Sequence, residues 1–166
     1  MIKSIDDFGF DESDFLEVEK LLKRPPAGPF RVAVRNRTTK GIVVIVNYPI
    51  LNSGVPMPTL FWLLGKKESK LVSRVEAEFG MKFVERLFDE TEIDEIHKRY
   101  SAMRHELLPK NYAGLMPHGG VGGTGRGLKC LHAHLANFLA TKQDVVGSWV
   151  AGTCKLNIDE YESELW

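Results

Sequence analysis

The side chains with most chemistry in them stand close together: Cys130, His132 and His134 follow directly on a stretch with six glycines among the nine positions from Gly119 to Gly127. A thiol can be a nucleophile or, as thiolate, a soft metal ligand, and an imidazole can serve as base, acid or ligand. Glycines let successive backbone N–H groups turn into a concave nest, and a helix beginning near Gly127 would aim its positive dipole end at the same place. The loop amides at Gly120, Gly122, Gly123 and Gly125, with the Arg126 fork and the Lys129 ammonium, are therefore expected to cradle a small anionic ligand such as a phosphate. The plain alternative is a tight connection whose glycines only permit close packing.

Two nucleotide motifs fail on spacing. Gly120 to Gly125 reads G-x-G-x-x-G, but that fingerprint has to follow a strand, and here Pro117-His118 come first. The triphosphate loop fails because Leu128 stands between Gly127 and Lys129.

On a wheel of about 100° per residue, Leu128, Leu131, Leu135, Phe138 and Leu139 make one core stripe. Cys130 and His134, four apart, share the neighbouring face, whereas His132 lies about 160° from His134. One metal cannot then take all three. A metal site is expected to use Cys130 with His134, completed by His118 or Cys154, and thiolate with imidazole suits zinc. Catalysis by a Cys–His pair drawn from Cys130, His132 and His134 is the other option, since the helix dipole with Arg126 or Lys129 would lower the thiol pKa, although no orienting acid is identifiable. Against both stands simple packing, in which the cysteine is a small hydrophobe and the histidines are hydrogen-bonded core residues. His105 reads as solvated and His97 as packing.

These groups need a frame. Asp14 to Arg24 carries Phe15, Val18, Leu21 and Leu22 at helical spacing, stopped by Pro25-Pro26. Phe30 to Arg37 and Ile42 to Tyr48 are β-branched runs joined by a short turn, and Thr59 to Leu64 reads as a third strand antiparallel to the second. The second run is nearly all apolar and so expected to be central, the first nearer an edge. Helical spacing then takes over: Leu71 to Phe79, Phe83 to Phe88, a helix capped by Thr91 and closed by Pro109, and the helix of Cys130. Strands first and helices afterwards indicate an α+β fold, with about three antiparallel strands and four to five helices in one domain spanning 1–166. The acidic tail from 158 to 166 either frays or anchors through Tyr161 and Trp166.

Composition narrows the function. The 166 residues include 22 basic and 22 acidic side chains, so no overall field draws nucleic acid or an anionic membrane. Trp62 and Phe61 lack interleaved basic residues and read as core rather than a base-stacking platform. No apolar run reaches the ~18 residues of a membrane span, and the acidic first twenty residues resemble neither secretory signal nor transit peptide. The expected location is the cytoplasm, where Cys130 and Cys154 stay reduced.

Pro58-Thr59-Leu60-Phe61-Trp62-Leu63, Ser73-Arg74-Val75-Glu76-Ala77 and Lys129-Cys130-Leu131-His132-Ala133-His134 together resemble an uncharacterised bacterial family catalogued as domain of unknown function 501, over about residues 28 to 150. The resemblance points to Cys130, His132, Arg74 and Glu76 as positions worth testing, and implies an association with cell-division and polyphosphate-phosphatase genes but no activity. Many members carry further cysteines in the first hairpin and after the third strand. Arg35-Asn36-Arg37 and Gly65-Lys66-Lys67 stand there instead, which argues against a shared multi-cysteine cluster. Three readings remain open: a binding site for a small anionic ligand where the glycine loop meets the Cys130 helix, using Arg126, Lys129, His132 and loop amides; a metal-assisted or Cys-dependent hydrolase with Cys130, His134 and His118 near the reaction centre; and an interaction module with an unidentified protein partner.

Overall fold

The computed structural model describes residues 5–165. Its β-branched runs form the expected hairpin: β1 (Phe30–Asn36) and β2 (Ile42–Asn47) pair antiparallel, with Phe30 opposite Asn47 and Val32 opposite Ile45. Asn36 closes the turn, its side-chain oxygen accepting the amides of Thr38 and Thr39. β3 (Phe61–Leu63) adds antiparallel to the free edge of β2, as its position after the Pro-rich turn suggests.

The other edge corrects the expectation. β4 (Tyr161–Ser163), from the acidic tail, pairs with β1 and makes the order β3-β2-β1-β4, so β1 is interior. Of the two fates left open for the tail, the structure shows anchoring: Tyr161 is buried and its hydroxyl donates to Glu68 Oε1 at 2.8 Å. Trp166, the other expected anchor, lies outside the described residues. Arg35 ties the tail to the first helix through Glu164 at 2.9 Å and Asp14 at 2.6 Å.

Each face of the sheet buries a helix. α1 (Glu12–Leu22), capped by Asp11, lays Val18 against Phe30, Val32, Ile42 and Ile45. The larger core lies on the opposite face, where α5 (Leu131–Thr141) packs on β3 and on α6 (Val145–Thr153). Leu131, Leu135 and Leu139 are fully buried, worth roughly 1.5–3 kcal/mol each against exposure. α2 (Lys66–Phe79), α3 (Met81–Glu85) and α4 (Glu90–Glu106) complete an α+β arrangement with six α-helices among the described residues. α4 is capped by Asp89, in a reciprocal capping box with Glu92, and not by Thr91 as expected, which lies two positions later inside the helix. No helix among the described residues is long and apolar enough to cross a membrane.

Candidate active site

α5 begins at Leu131, four residues later than a start near Gly127 would place it, and this changes the geometry of its cysteine. Cys130 is the N-cap, with extended backbone at φ −153° and ψ 112°, so the helical wheel does not govern its side chain. Its sulfur falls beside His132, and α2 brings Glu76 to the same spot. One ligand-type atom from each of Glu76, Cys130 and His132 lies within 4.8 Å of the others, all three half-buried.

Hydrogen bonding defines the imidazole. A carbonyl oxygen only accepts, so the contact of His132 Nε2 with the Ser69 carbonyl at 3.1 Å places a proton on Nε2. The Ser73 hydroxyl donates to the same carbonyl at 3.0 Å, and its oxygen lies 3.2 Å from Nε2. Nδ1 is thereby turned toward Glu76 Oε1 at 3.3 Å, an oxygen that also accepts the Leu131 amide at 2.8 Å. Burial pushes the Cys130 thiol up, but the His132 ring and the Ala133 amide more than offset it, and the thiol lies below its ordinary value. His132 moves the other way: Cys130 raises it, burial opposes, and the Glu76 charge adds to the rise. Both shifts favour an imidazolium–thiolate pair.

The glycine loop is held from beneath by two α4 side chains. The fully buried Arg104 donates to the carbonyls of Pro58 at 2.8 Å, Gly119 at 2.7 Å and Pro117 at 3.2 Å. His97 accepts the Val121 amide at Nδ1, 3.1 Å away, and donates from Nε2 to the Gly127 carbonyl at 2.9 Å. Gly120 packs flat on the His97 ring, where a side chain would collide. Gly122, at φ 68°, sits beside Cys130: a β-carbon there would stand 3.6 Å from Cys130 Cβ. Within the loop Gly120 and Gly123 bond to the carbonyls of Thr124 and Gly120. The Leu128 amide is taken by the protein's own Glu85 carboxylate at 2.8 Å. Of the four amides expected to meet an outside anion, those of Gly120 and Gly123 thus already have partners in the fold.

The remaining expected residues are dispersed. His134 is fully buried and bonds Asp144 through Nδ1 at 2.9 Å instead of pairing with Cys130. The four-residue spacing misled because Cys130 precedes the helix. His118 is exposed and Cys154 caps the end of α6, its thiol pushed up by burial; neither joins a three-ligand group among the described residues. Arg74, Gly125, Arg126 and Lys129 are exposed, and the cavity of about 390 Å³ beside Arg126 is also lined by Glu85 and Glu90. His97 packs, as expected. Asp144 and Arg104 carried no sequence signal as singletons, and Ser69 none beyond its place one turn before Ser73.

No curated protein and no solved structure matches the chain. The family model described as "Protein of unknown function (DUF501)" matches residues 32–152, and the chain belongs to that family.

Proposed function

We propose that the chain is a cysteine-dependent hydrolase of acyl compounds, with Cys130 as nucleophile and His132 as its proton partner. The convergence of Cys130, His132 and Glu76, with the far nitrogen of the imidazole anchored on Ser69, carries this reading. It supplies a nucleophile, a base and a group that orients the base. In the first half-reaction the Cys130 thiolate attacks the acyl carbon, and the bond to the leaving group breaks as Nδ1 of the imidazolium gives that group its proton. In the second, water attacks the thioester and yields its proton to Nδ1. The carbon–sulfur bond then breaks, releasing the acid and restoring thiolate and imidazolium. The α5 dipole favours the thiolate at the helix start. Arg126 and Lys129, both exposed, are available to a negative group on the substrate.

A second reading has its own support. With Nε2–H on a backbone carbonyl, the lone pair of a neutral His132 would point with Glu76 and Cys130 at one spot, the arrangement in which a second-shell carbonyl fixes a metal-ligating histidine. Zinc held there would have three protein ligands and one open position, and would activate water.

Hydrolysis of p-nitrophenyl acetate by the parent protein and by Cys130→Ser, with and without a chelator, tests both. Turnover lost in the variant and indifferent to chelation supports the thiol reading. Turnover retained in Cys130→Ser rejects it. Near-stoichiometric zinc in the parent, absent from Cys130→Ser, His132→Ala and Glu76→Gln alike, would replace it with the metal centre.

A further inference from the structure

His132 separates two environments. Its Nδ1 faces Glu76, which groups with Cys130, and its Nε2 is held by Ser69 and Ser73. Those two serines also line one side of a groove of about 600 Å³ that runs between the end of α1, strand β3 and the first turns of α2. That volume falls within the roughly 300–1,000 Å³ of sites for small organic ligands.

The groove has a consistent chemistry. Its apolar surface comes from Leu21, Leu22, Trp62 and Leu64, with Trp62 half-buried where a strand residue could have been wholly covered. Its charged groups are of one sign: Lys23, Lys66 and Lys70 line it, and none of the described residues that do so is acidic. The Arg24 guanidinium sits 5.8 Å from the centre of the Trp62 ring, bringing a fourth cation to the rim. In a chain whose charges balance overall, four cations around one apolar cleft form a local field, which attracts anions and concentrates them at the cleft.

We propose that this groove is a ligand-binding site on the serine side of His132, lined by neither Cys130 nor Glu76, and that it takes a compound with an apolar body and a negatively charged group. The apolar part lies on Leu22 and Trp62, the charge meets Lys66 and Lys70, and the serine end sets the occupant next to the imidazole. This inference goes beyond the hydrolase reading, and the binding it asserts stands or falls separately.

Calorimetric titration with decanoate, and with decanol as a neutral probe of equal length, tests it on the parent, on Cys130→Ser and on the double variant Lys66→Glu/Lys70→Glu. Both lysines are exposed, so the charge reversal leaves the core untouched. Decanoate is expected to bind the parent and Cys130→Ser equally, to bind the double variant about tenfold more weakly, and to exceed decanol on the parent. Affinity for decanoate equal in parent and double variant, or no binding to the parent, overturns the groove proposal. Ester hydrolysis that survives in Cys130→Ser rejects the hydrolase reading while the titration still decides the groove.

Discussion

His132 and His134 stand two residues apart on one helix and occupy opposite kinds of site. The His134 side chain is wholly shielded, and its partner Asp144 is shielded with it. That carboxylate also accepts the Asn137 amide at 2.9 Å and the Gly147 backbone amide at 2.8 Å, so a single buried acid caps α6 and fastens it to α5. The His132 side chain keeps 25% of its accessibility, and its partners lie at 3.1–3.3 Å. One histidine locks helices together, while the other stands beside a thiol whose pKa it lowers, where solvent can reach it. The lesson is that accessibility and the permanence of the partner separate structural from chemical imidazoles; residue type and spacing do not.

The sharpest way to break this comparison is to remove the buried histidine. His134→Ala leaves a cavity in the core and takes one hydrogen-bond donor from the buried Asp144, at an expected cost of about 3–5 kcal/mol in urea unfolding; a loss below about 1 kcal/mol would show that the pair is not structural. Gly147→Ala comes next. A β-carbon at that position runs into the His134 carbonyl and Phe138, so α6 must move off α5 at an expected cost of about 1–3 kcal/mol, read from the same transition.

His132→Ala should instead leave stability within about 1 kcal/mol and change chemistry. Without the ring, burial is left to raise the Cys130 pKa, so less thiolate exists at neutral pH. Alkylation by iodoacetamide should slow about tenfold at pH 7, and its pH inflection should move upward. An unchanged rate profile would mean that His132 does not govern the thiol. Glu76→Gln gives the smallest effect and the opposite sign: the Glu76 charge raises the Cys130 pKa, so neutralising it should speed alkylation roughly two- to threefold. Slower alkylation would assign Glu76 a different part in the site.

Local signals made much of the fold legible. The hairpin followed from Val, Ile and Thr placement around a four-residue turn, and the antiparallel third strand from its proximity after the Pro-rich loop. β4 escaped because Tyr161-Glu162-Ser163 is three residues long and acidic, and its strand character comes from pairing with β1. The site was half legible for a similar reason. Glu76 and His132 both stood out in sequence blocks, yet they lie 56 positions apart and meet only because α2 packs on α5. Cys130 stood out by residue type, but its direction depended on a helix boundary, and a shift from Gly127 to Leu131 exchanged His134 for His132 as its neighbour.

The clasp that His97 makes on the glycine loop has a dynamic corollary. By gripping Val121 and Gly127 at once from a helix 24 and 30 residues earlier, it acts on the loop as a noncovalent cross-link, denying glycine the backbone entropy it would otherwise keep. Amide hydrogens at Gly120, Val121 and Gly123 should accordingly exchange with solvent deuterium slowly, at rates closer to those of α4 than to those of the exposed Leu115–Met116 segment just upstream. A stretch with the composition of a hinge then behaves as a fixed wall beside Cys130, and traffic to the thiol has to pass by some other side.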